Sequence, residues 1–352
     1  MNNHFVLFSC CRLVKGASRS LIADSQRRSL DLIPNILAEI IEQHQGKTVD
    51  EIIAVYGGEN AAFIKKYFSF LEEKEYIFYT TKDRVKYFPP LTTSWEYPGL
   101  LTNAIIDYGK KTAPHFEKMV RALDAMNCFA VQLRFFSEID KPTLERVLTL
   151  FDKTRIADLQ LLLTDASNGS TNDTYLKDLL GKFLRIGSLN VFNADKEKTV
   201  DAAAATDSRK INYHSVSFHP ENVSYEKTIE GFQRNNHLNV FNESHHFNLY
   251  FNKKIYINEA GEIKNAPHTE EVFGNVETDK MIEVVHSPDF QKYWKVKKDD
   301  IEICKDCEFR YMCVDPRIPI EGRGGNYYFE IPCNYDPYAA SWHENEAVAF
   351  EP

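Results

Sequence analysis

Three cysteines fall within the ten residues CKDCEFRYMC at 304–313, and a fourth follows at Cys333, giving the spacing Cys-x2-Cys-x5-Cys-x19-Cys. Four thiolates spaced this way can close on one centre: a Cys-x2-Cys turn converges two sulfurs, the same loop brings a third, and a long excursion returns the fourth. Tetrahedral zinc would make the set a structural clip. An iron–sulfur cluster uses four thiolates equally well. Spacing leaves both fillings open for Cys304, Cys307, Cys313 and Cys333. The remaining cysteines of the seven are the adjacent Cys10 and Cys11, to which the sequence assigns no role, and Cys128, which reads as a small core residue.

Bulk properties narrow the function classes. A chain of 352 residues with 43% hydrophobic and 26% charged residues has room for two or three domains. No stretch approaches the eighteen apolar residues of a membrane span, so no membrane partner is expected. The start, MNNHFVLFSCCRLVKG, lacks the pattern of a signal peptide, which leads to the expectation of a cytoplasmic protein whose clustered thiols bind metal rather than pair. A net charge of −9 argues against a nucleic-acid partner.

The elements that would position the cysteines fall into three zones. In residues 1–92, the runs HFVLFS, RSLIAD and RRSLDLI read as strands. Pro34 marks the start of a helix that places Ile36, Leu37, Ile40 and Ile41 on one face. Thr48 and Glu51 fit a capping box. Phe63, Tyr67, Phe70 and Leu71 have the spacing of a buried stripe on a third helix. EYIFYTTKDRVKYF would close the unit as a hairpin, completing a winged helix able to fold independently. DNA binding is argued against by charge: residues 1–95 hold 12 Lys and Arg against 11 Asp and Glu.

Residues 93–246 alternate strand and helix, from LLTNAIIDY through PHFEKMVRALDAMN, FAVQLRFF, KPTLERVLTLFDK, ADLQLLL and TNDTYLKDLLGKF to IGSLNVF, which predicts a parallel α/β sheet. DAAAATDSRK at 201–210 reads as a link, with YHSVSF and HLNVF as further strands. No phosphate-cradling glycine motif occurs. Residues 247–352 open with a hairpin, KIYIN and EIKNA, around NEAG, where Gly261 suits the turn. SPDFQKYW reads as a short helix before the cysteines.

This third zone, from KIYINEAGEIK through VFGNV and SPDFQKYW to CKDCEFRYMC and Cys333, resembles the SPASM domain of radical SAM peptide-modifying enzymes. The resemblance implies that Cys304, Cys307, Cys313 and Cys333 hold one auxiliary-type 4Fe-4S cluster, with zinc the alternative. It also marks departures. Pro267-His268 and Arg317 stand where the family has further cysteines, so an inner cluster is not expected, and His268 reads as a solvated loop histidine. The middle zone resembles a partial radical SAM (β/α) barrel, yet GKKTAPHFEKM lacks the Cys-x3-Cys-x2-Cys motif, and S-adenosylmethionine is not expected as a cofactor.

The layout as a whole resembles the SPASM-domain peptide maturases of grasp-with-spasm systems. These have an N-terminal winged-helix leader-peptide recognition domain and act beside an ATP-grasp ligase on a short precursor peptide. The resemblance implies maturation of a ribosomally synthesised peptide, the ligase joining acidic side chains to hydroxyl or amino groups. Leader binding by strand addition would involve Arg28, Leu30 and Leu32 around RRSLDLI, and Ile64, Tyr67 and Phe68 on the third helix. Two other expectations remain: a zinc-clipped adaptor without enzymatic activity, and a redox enzyme using the single cluster for electron transfer. No catalytic residue is assigned, and the histidines of NYHSVSFHPEN and ESHHFN read as surface or strand residues.

Overall fold

The computed structural model describes residues 3–166, 169–202, 207–219 and 229–343. Residues 203–206 of the expected link, and the end of NYHSVSFHPEN from 220 onward, lie outside this set. Strand β1 (His4–Leu7) precedes an antiparallel meander of β2 (Cys11–Lys15), β3 (Ser20–Asp24) and β4 (Ser29–Ile33). Helices α1 (Asn35–His44), α2 (Val49–Tyr56) and α3 (Ala61–Glu73) follow. The expected capping box starts α2: Glu51 N–H donates to Thr48 Oγ1 at 3.2 Å, and the Glu51 carboxylate accepts from Thr48 N–H at 2.7 Å. Pro34 is the N-cap of α1, one position before the first helical residue, and Ile36 is exposed rather than buried with Leu37, Ile40 and Ile41.

Two readings of this segment change. The buried stripe of α3 is Ile64, Phe68 and Leu71, while Phe63 is 66% exposed. Both Phe63-Tyr67-Phe70 and Ile64-Phe68-Leu71 satisfy helical spacing, so periodicity fixes the interval and not the phase. The terminal hairpin is also absent: β5 (Ile77–Thr80) pairs antiparallel with β1, and Val85–Tyr87 forms a single 3-10 turn. Pairing with the sequence-distant β1 satisfies the β5 backbone in place of a local partner.

The meander is apolar on both faces, as the period of two along a strand allows. On one face Cys11, Ile22 and Ile33 pack with Leu37, Ile41 and Phe68. On the other, Val14, Leu21, Ala23 and Leu30 pack with Phe232, Phe241, Phe309 and Met312. The first 92 residues therefore hold one core of their own, while the other face of the meander is covered by Phe232, Phe241, Phe309 and Met312 of the same compact unit.

The central zone runs β6 (Asn103–Asp107), α4 (Phe116–Ala125), β7 (Ala130–Phe135), α5 (Lys141–Thr149), β8 (Asp158–Thr164), α6 (Asp173–Lys182), β9 (Ile186–Phe192), β10 (Lys198–Asp201) and β11 (Lys210–Tyr213). Then come α7 (Ile229–Asn235) and α8 (Leu238–Ser244), so HLNVF is helical and not a strand; Phe241 N–H closes a helical turn on His237 O at 3.0 Å. Strands β12 (Lys254–Ile257), β13 (Glu262–Lys264) and β14 (Gly274–Asn275) precede α9 (Met281–His286). The expected β12–β13 hairpin forms, with Gly261 at φ +81°. SPDFQKYW makes successive turns instead of a helix.

A nine-stranded sheet has the order β10-β11-β9-β8-β7-β6-β12-β13-β14. Its pairs from β11 through β12 are parallel and those at both margins antiparallel. The chain is thus a mixed α/β protein with a large, mostly parallel sheet. It divides into two compact units, whose described parts are residues 3–95, 229–250 and 295–343 for the first and 96–166, 169–202, 207–219 and 251–294 for the second. The cysteine segment belongs to the unit that holds the N-terminal meander, while the β12–β13 hairpin belongs to the unit that holds the large sheet. No helix among the described residues is long and apolar enough to cross a membrane.

Candidate metal centre

The loop that carries the cysteines is built from tight turns. Ile303 adopts φ +67° and ψ −47°, and Cys304 N–H donates to Glu302 O at 2.8 Å, a γ-turn of the rare positive-φ kind. A 3-10 turn at Cys304–Asp306 then brings Cys307 N–H to Cys304 O at 3.1 Å. A second, Arg310–Met312, leads into Cys313. Such strain in a β-branched residue persists only where surrounding structure fixes it. The fixing contacts are visible in the first unit: Ala17 N–H donates to Asp306 O at 2.8 Å, and Arg310 donates to Lys15 O at 2.5 Å. Glu308 is fully buried and accepts from Arg19 Nε at 2.7 Å and from the Tyr335 hydroxyl.

Cys304, Cys307, Cys313 and Cys333 all line one pocket, walled by Phe232, Phe309 and Tyr335. Lys298, Asp315 and Arg317 complete its lining. Lys298 Nζ lies 2.7 Å from Asp315 Oδ2 and 4.0 Å from Cys304 Sγ. Arg317 donates from Nε to Asp315 Oδ1 at 3.0 Å and from its terminal nitrogen to Ile331 O at 2.6 Å, and it stacks 4.0 Å over the Phe329 ring. Burial raises the Cys304 and Cys307 thiols above their usual range. Burial opposes the Lys298 ammonium as well, but Asp315 with the Cys304 and Cys313 thiols outweighs it and raises Lys298. Thiolates in this pocket therefore need positive charge, of which Lys298 and Arg317 supply part. The donor set, four thiols lining one pocket beside two cations, fits a thiolate-bound metal group.

Arg317, a position where no cluster ligand is expected, is taken up by Asp315. His268 belongs to the second unit, beside the Phe251 ring at 6.3 Å. The six residues expected at a leader groove separate by face. Leu30 lies in the core on the meander face away from α3; Leu32, two residues on, shares that side and is 37% exposed. Ile64 and Phe68 are buried in the opposite core, Tyr67 is half-buried against it, and Arg28 is exposed in the β3–β4 turn. Strand alternation places Asp31 toward α3, where it accepts from the Tyr76 hydroxyl at 2.7 Å. Among the described residues β4 pairs only with β3 and forms an edge of its sheet.

A second cluster escaped sequence reasoning. At the carboxyl ends of β6, β7 and β12, Arg134 donates to Asp107 through Nε at 2.6 Å and a terminal nitrogen at 2.9 Å, and the Tyr256 hydroxyl donates to Asp107 at 2.5 Å. Burial raises the Asp107 carboxyl, against the Arg134 and Tyr256 donors that favour its ionised form. The only available signal was a lone charge in each of the apolar runs NAIID and AVQLRF. The carboxyl ends of parallel strands are where open α/β sheets place ligands, and a cleft lined by Tyr108, Lys110, Phe135, Glu138 and Glu259 lies there. The loop between β6 and α4 offers no thiol.

No known family matches the chain, and no curated protein is similar to it. Among solved structures, Streptococcus suis SuiB bound to S-adenosylmethionine is 10% identical with a TM-score of 0.32, and SuiB bound to precursor peptide SuiA is 10% identical with a TM-score of 0.30. Each comparison covers 88% of this chain and 94% of the other. At this similarity the likeness assigns neither fold nor function.

Proposed function

We propose that this protein takes part in maturing a ribosomally synthesised peptide, binding the precursor leader and holding one 4Fe-4S cluster at Cys304, Cys307, Cys313 and Cys333. An ATP-grasp ligase is the partner that forms the side-chain links. Residues 1–92 act in this reading as the leader-recognition domain of winged-helix type, 93–246 as a radical-SAM-like partial barrel without its chemistry, and 247–352 as the SPASM domain. The observation that carries the reading is the joining of four thiols in one pocket to a meander whose β4 edge is open. Cluster and peptide sites would then be built on one sheet.

The sulfur spacing supports a cluster over zinc. Tetrahedral zinc with bonds of about 2.3 Å brings its thiolates to about 3.8 Å of one another. Among the described residues, no three of these four sulfurs gather within 4.8 Å. A cubane binds each thiolate on a separate iron and takes a wider set. When bound, it supplies an electron-transfer centre or a structural tie. The protein's own part is to hold the four thiols, exclude water with Phe232, Phe309 and Tyr335, and offset charge with Lys298 and Arg317.

The leader reading is tested on the full chain, because one face of the meander is covered by residues beyond 92. A leader segment from a precursor encoded beside an ATP-grasp ligase should bind with roughly micromolar affinity, about 8 kcal/mol. Tyr67→Ala should weaken it about tenfold, and salt should change it little. Duplex DNA binding that falls steeply with salt, without leader binding, would make the N-terminal region a regulator instead. A second expectation concerns the β6–α4 loop. Reduced protein given S-adenosylmethionine should form no 5′-deoxyadenosine above background, since a radical SAM cluster needs three thiolates there. Repeated turnover would refute the assignment of the middle zone.

A further inference from the structure

The β2–β3 register joins residues to which the sequence gave no common role. Cys11 pairs directly opposite Asp24, which places their side chains on one face as cross-strand neighbours. Cys10 is pinned beside them: its carbonyl accepts from Ser25 N–H at 3.0 Å and from the Ser25 hydroxyl at 2.8 Å. One ligand atom from each of Cys10, Cys11 and Asp24 falls within 4.8 Å of the others, and the two sulfurs are 4.0 Å apart. Two thiolates on one tetrahedral zinc stand about 3.8 Å apart.

We propose that Cys10, Cys11 and Asp24 form a zinc site separate from the four-cysteine pocket, with a fourth position left for water or an exogenous ligand. The carboxylate is already oriented. Asp24 Oδ1 accepts from Gln26 and Arg27 N–H at 2.8 and 2.9 Å, and Oδ2 accepts from the Arg27 side chain at 3.1 Å. A carboxylate has about four acceptor positions, so one remains for a metal. Asp24 is 1% exposed, whereas Cys10 is half-buried and gives an entry path. Two thiolates, a carboxylate and Zn²⁺ sum to one negative charge. Arg12 lies within electrostatic reach of both thiols, is 8% exposed, and has Nε and one terminal nitrogen without hydrogen-bond partners among the described residues. Its charge offsets the excess, as does that of Arg27. Burial and Asp24 raise both cysteines above their usual range, so Zn²⁺ displaces one proton from each.

The test is zinc and iron content of the full-length protein, purified under reducing, anaerobic conditions, treated with EDTA and dialysed against about 10 µM ZnCl₂. Expected is a loss of one zinc per chain in the Cys10→Ser/Cys11→Ser variant, with iron unchanged. If zinc fills the four-cysteine pocket instead, the loss is still one equivalent, from two to one, so failure of the cluster reading and failure of this one are distinguishable. Asp24→Asn should weaken binding at least tenfold, and wild-type affinity should rise by up to about a hundredfold per pH unit through release of two protons. Co²⁺ substituted into wild type, and not into the double variant, should show thiolate-to-metal absorption, a readout independent of stoichiometry. Equal zinc in both proteins, or a Cys10–Cys11 disulfide in the reduced wild type, overturns the proposal.

Discussion

Cys307→Ala should lower iron from about four per chain to below about one, with sulfide falling in parallel. An alanine at 307 leaves one iron of a four-thiolate cubane without a protein ligand, which opens the cluster to water and to loss of iron. The loss should extend to the first unit, because Cys307, Cys313 and Cys333 pack against the cluster of Phe232, Phe309 and Tyr335 that also covers Val14 and Leu21 of the meander. Metal binding of this kind is folding free energy, so hydrogen exchange should quicken in β2–β4 as well as around residues 304–313. Cys128→Ala is the control. Cys128 is a buried thiol in the second unit that donates to Ala130 O at 3.3 Å. Its loss should leave iron unchanged. Iron and sulfide unchanged in Cys304→Ala, Cys307→Ala and Cys313→Ala alike would mean that these cysteines do not hold the cluster.

Arg134→Ala should destabilise the second unit by about 3–5 kcal/mol, the usual cost of leaving a buried charge without its partner. Asp107 and Arg134 have side chains 1% and 4% exposed, so little solvent is available to take over the abandoned carboxylate. Replacing both together, as Asp107→Leu/Arg134→Met, removes the uncompensated charge and should recover most of that loss. Hydrogen exchange of the β6 and β7 amides reads the effect within the unit concerned. If Arg134→Ala costs less than about 1 kcal/mol, water or a neighbouring group compensates Asp107 and the cluster does not hold the strand ends together.

Local signals in the sequence survived folding well. The reciprocal hydrogen bonds of Thr48 and Glu51 need only four consecutive residues, and the strand expected at ADLQLLL forms as β8. Cys304, Cys307 and Cys313 line one pocket for the same reason, since they lie within ten residues of one another. Phase and partner were not legible. Nothing in AAFIKKYFSFLEE says whether Phe63 or Ile64 faces inward until the meander supplies the surface that α3 covers. β5 read as half of a local hairpin because its true partner, β1, lies at the other end of the segment. HLNVF, rich in strand formers, becomes α8 because its apolar Phe241 fills the far face of the meander. The ion groups were the least visible. Lys298, Asp315 and Arg317 meet only because the turns at Ile303 and Cys304–Asp306 fold the chain back, and Cys11 meets Asp24 only through the β2–β3 register.

Anaerobic production of the full-length protein, followed by iron and acid-labile sulfide analysis, tests the central claim most directly. The account predicts brown protein with about four irons and four sulfides per chain, as one cubane requires. Colourless protein without iron or sulfide, with its zinc lost on replacement of Cys304, Cys307, Cys313 or Cys333, would contradict it and leave a zinc-clipped adaptor.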